Sequence, residues 1–249
     1  MRAPTRDPRR PSGLLAVLVT TFVATSCAAV PELPPPVPQD VVPSVAPPTL
    51  SAAGSDQLSP DGFDAVQRMA VRIRNVGCAS LSTGSGFAVD EHTLITNRHV
   101  VADSESLQVS TYDGRDLDVS AASTAALADL AVVRTEDPLP SFPQIADDDP
   151  EEGDDVTVVG YPAGGRLTVT AGRVIGTTRD PLHENLGEVL VTDAPVEPGS
   201  SGSAALDDDG DVIGVVYAKT TDGRSLLVPQ STLREMLDDT SAFTELTPC

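Results

Sequence analysis

The sequence predicts an all-β protein in which two six-stranded antiparallel β-barrels are followed by a short C-terminal helix. Short runs rich in β-branched residues, many alternating apolar and polar side chains, recur from Val71 onwards between turns of Gly, Pro, Asp and Asn. They form two sets of about six runs, one on each side of an acidic, proline-containing stretch at 138–155. Only "PQSTLREMLDD" near the end has a helical pattern. Regularly spaced strands favour two barrels over an α/β sheet.

The strand-forming part of the chain sets the expected domain boundaries. We expect one folded domain over 59–249. Within it, the strand runs predict a first barrel at about 70–140, a second at about 150–230 and a helix at about 229–239. The residues before 59 are therefore expected to lie outside the core.

The first 27 residues have the layout of a secretory signal peptide. Arginines crowd the first ten residues, and the apolar run "LLAVLVTTFVATSC" ends in small residues at Cys27. The run is shorter than the ~20 apolar residues of a membrane-spanning helix, so a permanent span is disfavoured. "ATSC" resembles the lipobox of bacterial lipoproteins, which predicts a lipid on Cys27 and a tether to the cell membrane. Simple cleavage of the signal, with secretion of the domain, is the alternative.

A proline-rich segment at 28–58 separates this signal from the folded domain. Its prolines remove backbone donors and favour extended polyproline conformation. The segment is therefore interpreted as a semi-rigid stalk that carries an extracytoplasmic domain.

The chain is strongly acidic, with a formal net charge of −21. Such a surface repels nucleic acid, so no nucleic-acid partner is expected. The acids cluster in loops such as "ADDDPEEGDD" and "DDDGD", which is typical of a solvated surface. Neither loop has the ligand spacing of an EF-hand, so no metal site is predicted, and no cofactor is expected.

Three residues have the order and local context of a nucleophilic triad. His99 lies in "TLITNRHVVAD", directly after a predicted strand, and Asp129 lies at the mouth of the apolar strand in "TAALADLAVVR". Ser201 lies in "PGSSGS", among small residues and between two predicted strands. His, Asp, Ser is one of the chain orders that such triads use.

Four segments together resemble the trypsin-like (chymotrypsin-fold) serine proteases, and within them the HtrA-type and actinobacterial envelope branch. They are "GSGFAVD", "TNRHVV", "ADLAVV" and "TDAPVEPGSSGSAALDDDGDVIGVV", in the order and spacing of that family. The resemblance implies two packed barrels with the triad in the cleft between them. It also implies an endopeptidase without a cofactor that acts on proteins or peptides of the cell envelope. Only about twenty residues follow Pro229, so we do not expect the PDZ domain that is common in this branch.

The resemblance assigns a role to each site residue. His99 would be the general base, Asp129 its orienting partner and Ser201 the nucleophile that forms an acyl-enzyme. The backbone N–H groups of Gly199 and Ser201 would form the oxyanion hole.

The same resemblance predicts the substrate pocket. Pro195 occupies the position where relatives that select Lys or Arg carry an acid, so a basic preference is disfavoured. The remaining walls are expected to be Val196, Val215, Val216 and Ala218, which suit a medium aliphatic side chain. Glu197, close to the predicted oxyanion hole, has no evident role.

The cysteines predict one disulfide. Three cysteines are an odd number for an exported protein, but a lipid on Cys27 leaves Cys78 and Cys249 as a pair in an oxidising compartment. Two unpaired thiols are the alternative.

Two other classes of function remain open from the sequence. One is a catalytically silent protease-fold binding module, which Ser200, Ser203 and Glu197 would support as departures from the family pattern. The other is an acidic, stalked envelope protein that binds cationic partners or divalent ions, for which the net charge is the argument.

Overall fold

The structure is a computed structural model that describes residues 64–125, 128–182 and 186–249. Antiparallel strands make up most of the regular secondary structure in these ranges. Within these ranges the strands are β1 (Ala70–Gly77), β2 (Leu81–Asp90), β3 (Thr93–Thr96), β4 (Ser104–Thr111), β5 (Asp116–Leu117), β6 (Val119–Ala125), β7 (Ala131–Thr135), β8 (Asp155–Gly160), β9 (Thr168–Arg179), β10 (Glu188–Thr192), β11 (Ala204–Leu206), β12 (Val212–Lys219), β13 (Ser225–Pro229) and β14 (Phe243–Glu245). The helices are α1 (Ala65–Arg68), α2 (Arg98–Val101) and α3 (Gln230–Asp238). The all-β class is confirmed. The predicted signal peptide, stalk and Cys27 lie outside the described residues.

The first half of the fold is an eight-stranded sheet in the order β14-β6-β7-β3-β2-β1-β4-β5. Six of its strands come from the first predicted set. The other two are the two-residue β5 and the C-terminal β14, whose Phe243 pairs with Ala125 of β6. Strands this short carry no alternating pattern, which is why the sequence predicted six strands for this half.

The second half is a closed six-stranded barrel in the order β10-β13-β12-β11-β8-β9. Apolar side chains from its strands, among them Val158, Leu190 and Ile213, fill a core cluster inside it. Closure leaves no free strand edge in this half, so its loops are supported by a rigid scaffold.

One larger hydrophobic cluster joins the two halves. It contains Phe87 and Leu94 from the first half and Val159 and Val215 from the second. The helix α3, at the position predicted for it, adds Leu233 to the same cluster. No helix in the described ranges is long and apolar enough to cross a membrane.

Candidate active site

His99 is presented by the short helix α2, which follows the fully buried strand β3. Val100 and Val101 are buried and fix the helix against the sheet. The His99 side chain points the other way and is 48% exposed. Burial of its neighbours thus places an imidazole at the surface on a rigid support.

Asp129 binds His99 with both carboxylate oxygens. Its Oδ2 lies 2.5 Å from His99 Nδ1, and its Oδ1 accepts a hydrogen bond of 3.0 Å from the His99 backbone N–H. The Asp129 side chain is only 3% exposed. Its backbone carbonyl accepts further bonds from Asn97 Nδ2 at 2.9 Å and Arg98 N at 3.3 Å. Since the carboxylate accepts a hydrogen bond from a proton on Nδ1, His99 Nε2 is left as the ring acceptor.

Ser201 lies in a tight loop between β10 and β11. The loop turns through Gly199 and Gly202, whose φ angles of 95° and 86° favour glycine. The Ser201 carbonyl accepts a bond of 2.8 Å from Ser85 N, which lies on β2 in the other half of the fold. This bond fixes the Ser201 loop, which is the candidate nucleophile loop, against the half that carries His99.

Two N–H groups at the turn of this loop, on Gly199 and Ser201, have no acceptor within the described ranges. The Pro198 carbonyl accepts a bond of 2.6 Å from Ala163 N, so in the trans peptide the Gly199 N–H points away from Ala163. A Cβ on Gly199 would lie only 2.6 Å from Ala163 N, so a side chain does not fit. Unpaired backbone donors beside a nucleophile can bind an oxygen anion.

Gly84 lies between the two candidate catalytic segments. A Cβ on Gly84 would be 2.5 Å from Val100 Cγ1, beside His99, and 3.2 Å from the Ser201 carbonyl oxygen. Ser201 Oγ makes no hydrogen bond to His99 within the described ranges. Without substrate this contact is often long, and it tightens when the substrate binds.

A cavity of about 360 Å³ adjoins Ser201. Its walls include Val196, Val216 and Ala218, as the sequence predicts. Pro195 and Val215, the other two residues predicted for the pocket, do not line this cavity. Pro195 is exposed.

The strand geometry explains the difference at Val215. Successive side chains of β12 point to opposite faces, so Val215 joins the cluster between the halves while Val216 faces the cavity side. Glu197 lines the cavity and forms an ion pair of 3.0 Å with Lys219. Its charge is therefore balanced beside the nucleophile loop.

Cys78 and Cys249 are joined in a disulfide with 6.1 Å between their Cα atoms. The bridge lies beside the turn that follows α2, because Cys78 N donates to Asp103 O and Cys249 N donates to Ser104 O. It thus ties the C-terminus to the segment that carries His99.

Several residues of the site were not singled out from the sequence. Ser85 binds the nucleophile loop, and Ala163 holds the Pro198 carbonyl. Ser85 lies inside the motif "GSGFAVD", which was the available signal. Ala163 has no sequence signal, although its φ of 54° is unusual for a residue with a side chain.

A histidine held by a buried carboxylate, a serine in a tight glycine loop and two unpaired N–H donors define a class of protein. This combination on an all-β scaffold is the arrangement of a nucleophilic hydrolase. Residues 84–215, more than half of the chain, match the family model of the trypsin-like peptidase domain. The chain belongs to the trypsin-like peptidase family, and its relatives and structural neighbours include serine proteases of the HtrA type.

Individual relatives agree with this assignment. "Serine protease HTRA2, mitochondrial" from Bos taurus is 36% identical over 164 residues, which are 63% of this chain and 36% of that protein. A "Probable periplasmic serine endoprotease DegP-like" from Brucella suis is 34% identical over 167 residues, 64% of this chain and 33% of that protein. The chain thus spans about a third of the length of these curated relatives.

A solved structure supports the same assignment. The Rv3671c protease from M. tuberculosis, in its active form, has a TM-score of 0.63 and 26% identity, over 74% of this chain and 85% of that one.

Proposed function

We propose that this chain is an exported serine endopeptidase that hydrolyses peptide bonds through an acyl-enzyme. The observation that carries the proposal is the contact of 2.5 Å between His99 Nδ1 and the buried Asp129 carboxylate. Gly84 lies against both Val100, the neighbour of His99, and the Ser201 carbonyl, so the two segments are close together. Membership of the trypsin-like peptidase family supports it.

Each group has a defined step. His99 Nε2 removes the proton from Ser201 Oγ as this oxygen attacks the substrate carbonyl carbon. The negative charge that develops on the carbonyl oxygen is bound by the N–H groups of Gly199 and Ser201. His99 then protonates the leaving amine. In the second half of the reaction His99 takes a proton from the water that attacks the acyl carbon, and returns it to Ser201 Oγ as the acyl–Oγ bond breaks. Asp129 stabilises the imidazolium that forms in both halves of the reaction.

The location belongs to the same proposal. The "periplasmic" relatives and the signal-like first 27 residues support an extracytoplasmic domain. Proteins or peptides of the cell envelope are then its substrates. A lipid on Cys27 would attach the domain to the cell membrane through the proline-rich segment.

A fluorophosphonate probe tests the proposed activity directly. We expect the purified domain to become covalently labelled at Ser201, because only a serine activated by a neighbouring base attacks the probe at a useful rate. The Ser201→Ala variant should fold normally, bind no probe and hydrolyse no peptide. Peptide mapping after labelling identifies the modified residue. An unlabelled wild-type protein, or turnover that survives in Ser201→Ala, contradicts the proposal.

The cavity beside Ser201 predicts the residue that precedes the cleaved bond. Val196, Val216 and Ala218 give it apolar walls, so we expect cleavage after Ala, Val or Leu. Discrimination among these should be modest, because one methylene is worth about 1–3 kcal/mol in an apolar pocket. A peptide library followed by mass spectrometry measures the profile. Ala218→Val should narrow the cavity and shift the preference towards Ala, whereas dominant cleavage after Lys or Arg would refute the pocket assignment.

A further inference from the structure

The Ser85 hydroxyl lies beneath the nucleophile loop and connects three segments of the site. Ser85 is fully buried on β2. Its Oγ donates to the Gly199 carbonyl at 2.8 Å and accepts from Tyr161 N at 2.8 Å. Its backbone N–H donates to the Ser201 carbonyl at 2.8 Å. Because a hydroxyl has one proton and Tyr161 N is a donor, that proton is committed to Gly199.

The Ser85 backbone also reaches the histidine segment. The carbonyl of Ser85 accepts a bond of 2.6 Å from Thr96 Oγ1, at the end of β3 and just before α2. Thr96 is fully buried. A single residue of the first half therefore contacts both the loop that carries Ser201 and the segment that leads to His99.

The bond to the Gly199 carbonyl holds the Gly199–Ser200 peptide, and in this way it restricts the rotation of the Gly199 backbone. Gly199 has no Cβ, so its backbone can rotate between several conformations when nothing holds it. Its carbonyl is fixed by Ser85 Oγ, and the preceding Pro198 carbonyl is fixed by Ala163 N. With the peptides on both sides of the Gly199 Cα held, the Gly199 backbone has one conformation. In this conformation the Gly199 N–H has no acceptor within the described ranges.

The same hydroxyl also supports the second of these contacts. Tyr161 N donates to Ser85 Oγ, and Tyr161 lies two residues before Ala163. Burial raises the pKa of Tyr161 to about 12, so its ring stays neutral and packed in the core at working pH. Loss of the Ser85 hydroxyl would therefore remove two hydrogen bonds at once. One holds the Gly199 carbonyl, and the other holds Tyr161 N, close to the Ala163 N–H that binds the Pro198 carbonyl.

We propose that Ser85 is a positioning residue whose hydroxyl holds the Gly199 N–H towards the developing oxyanion. The inference rests on the proposed hydrolase function and adds a residue to it. Ser85 touches neither substrate nor nucleophile oxygen in this role. It acts through the orientation of the Gly199 peptide, so its effect belongs to the transition state and not to substrate binding.

The chain offers a matched control for the test. Ser203 is fully buried two residues after Ser201, and its hydroxyl has no hydrogen-bond partner in the described part of the chain. Ser85→Ala and Ser203→Ala thus remove the same atom from the same region. Only the first change removes hydrogen bonds from the Gly199 and Tyr161 peptides.

The experiment measures kcat and KM for one peptide substrate, the rate of fluorophosphonate labelling and the affinity for a peptide aldehyde. The aldehyde forms a hemiacetal with Ser201 whose oxygen occupies the oxyanion hole, so it reports on the two N–H donors. We expect Ser85→Ala to lower kcat about 10- to 100-fold with little change in KM, since complete loss of one oxyanion donor typically costs about 10²–10³. Labelling and aldehyde affinity should fall in parallel. Ser203→Ala should match the wild type in all four quantities.

Two results would overturn the inference. One is a Ser85→Ala variant with wild-type kcat and aldehyde affinity, and the other is a fall in melting temperature with kcat unchanged when measured well below the transition. If Ser85→Ala does not fold, Ser85→Cys takes its place, because it retains a weak donor of similar shape. We expect Ser85→Cys to give values of kcat and aldehyde affinity below those of the wild type but above those of a complete loss. Wild-type values for Ser85→Cys would refute the role. A wild-type protein that takes no label contradicts the proposed function itself, whereas equal labelling of wild type and Ser85→Ala contradicts only the role of Ser85.

Discussion

Replacing Asp129 with Asn is expected to lower kcat about 10⁴-fold without unfolding the protein. The same change in a Ser-His-Asp triad of this kind has an effect of that size. An Asn side chain at this position can accept a hydrogen bond from His99 Nδ1–H only through its oxygen. Its NH₂ group donates to an unprotonated Nδ1 and so favours the opposite tautomer, with the proton on Nε2. His99 would then have no free lone pair to take the Ser201 proton.

The structure explains why the fold should survive this change. Asn has nearly the shape of Asp, and the bonds from Asn97 and Arg98 reach the backbone carbonyl of Asp129, which the substitution leaves in place. The loss should therefore appear in kcat and in fluorophosphonate labelling, with an unchanged circular dichroism spectrum. Asp90→Asn is a suitable control, because Asp90 is exposed at the end of β2, pairs only loosely with Arg134 at 3.9 Å and should leave kcat unaltered. A kcat within tenfold of wild type for Asp129→Asn would contradict the assigned role.

The three residues of the candidate triad can be singled out from the sequence because each of them lies in a strong local pattern. His99 and Asp129 each lie at the end of a short apolar run, and the structure finds a buried strand next to each of them. Ser201 lies between glycines that must adopt positive φ angles. The strand alternation that predicts the all-β class is equally local.

Contacts between distant segments could not be predicted from the sequence. The Ser85 hydroxyl meets Gly199 across 114 residues of sequence and Tyr161 across 76. No periodicity in one segment can reveal such a pairing, since it depends on how the two halves pack. The pocket shows the same limit. The run "VIGVVYAK" predicts a buried strand, but which of Val215 and Val216 faces the cavity depends on the register of β12 in the barrel.

The second large effect is expected from the disulfide between Cys78 and Cys249. The two residues are 171 positions apart, and the chain-entropy estimate for so long a loop is about 5 kcal/mol, an upper figure because residual structure in the denatured state reduces it. A domain of this size loses roughly 2–4 °C of melting temperature per kcal/mol. We therefore expect reduction of the bridge to lower the melting temperature by up to roughly 10–20 °C.

The measurement compares thermal unfolding with and without reductant. The double variant Cys78→Ser/Cys249→Ser should melt at the temperature of the reduced wild-type protein and should not respond to reductant. Alkylation before and after reduction counts the free thiols. Two alkylatable thiols in the untreated protein, together with a melting temperature that reductant does not change, would rule out a stabilising bridge.

Reduction should affect stability more than turnover, and the contacts around the bridge give the reason. The disulfide supports the turn after α2, where Asp103 adopts a φ of 51° and its carbonyl accepts from Cys78 N. His99 itself is held on the other side of α2 by Asp129, through its ring and its backbone N–H. These bonds do not depend on the C-terminus. At 25 °C, well below the unfolding transition, kcat of the reduced protein should therefore stay within a few-fold of the kcat of the oxidised protein. A loss of kcat comparable to that of Asp129→Asn would mean instead that the bridge positions His99 directly.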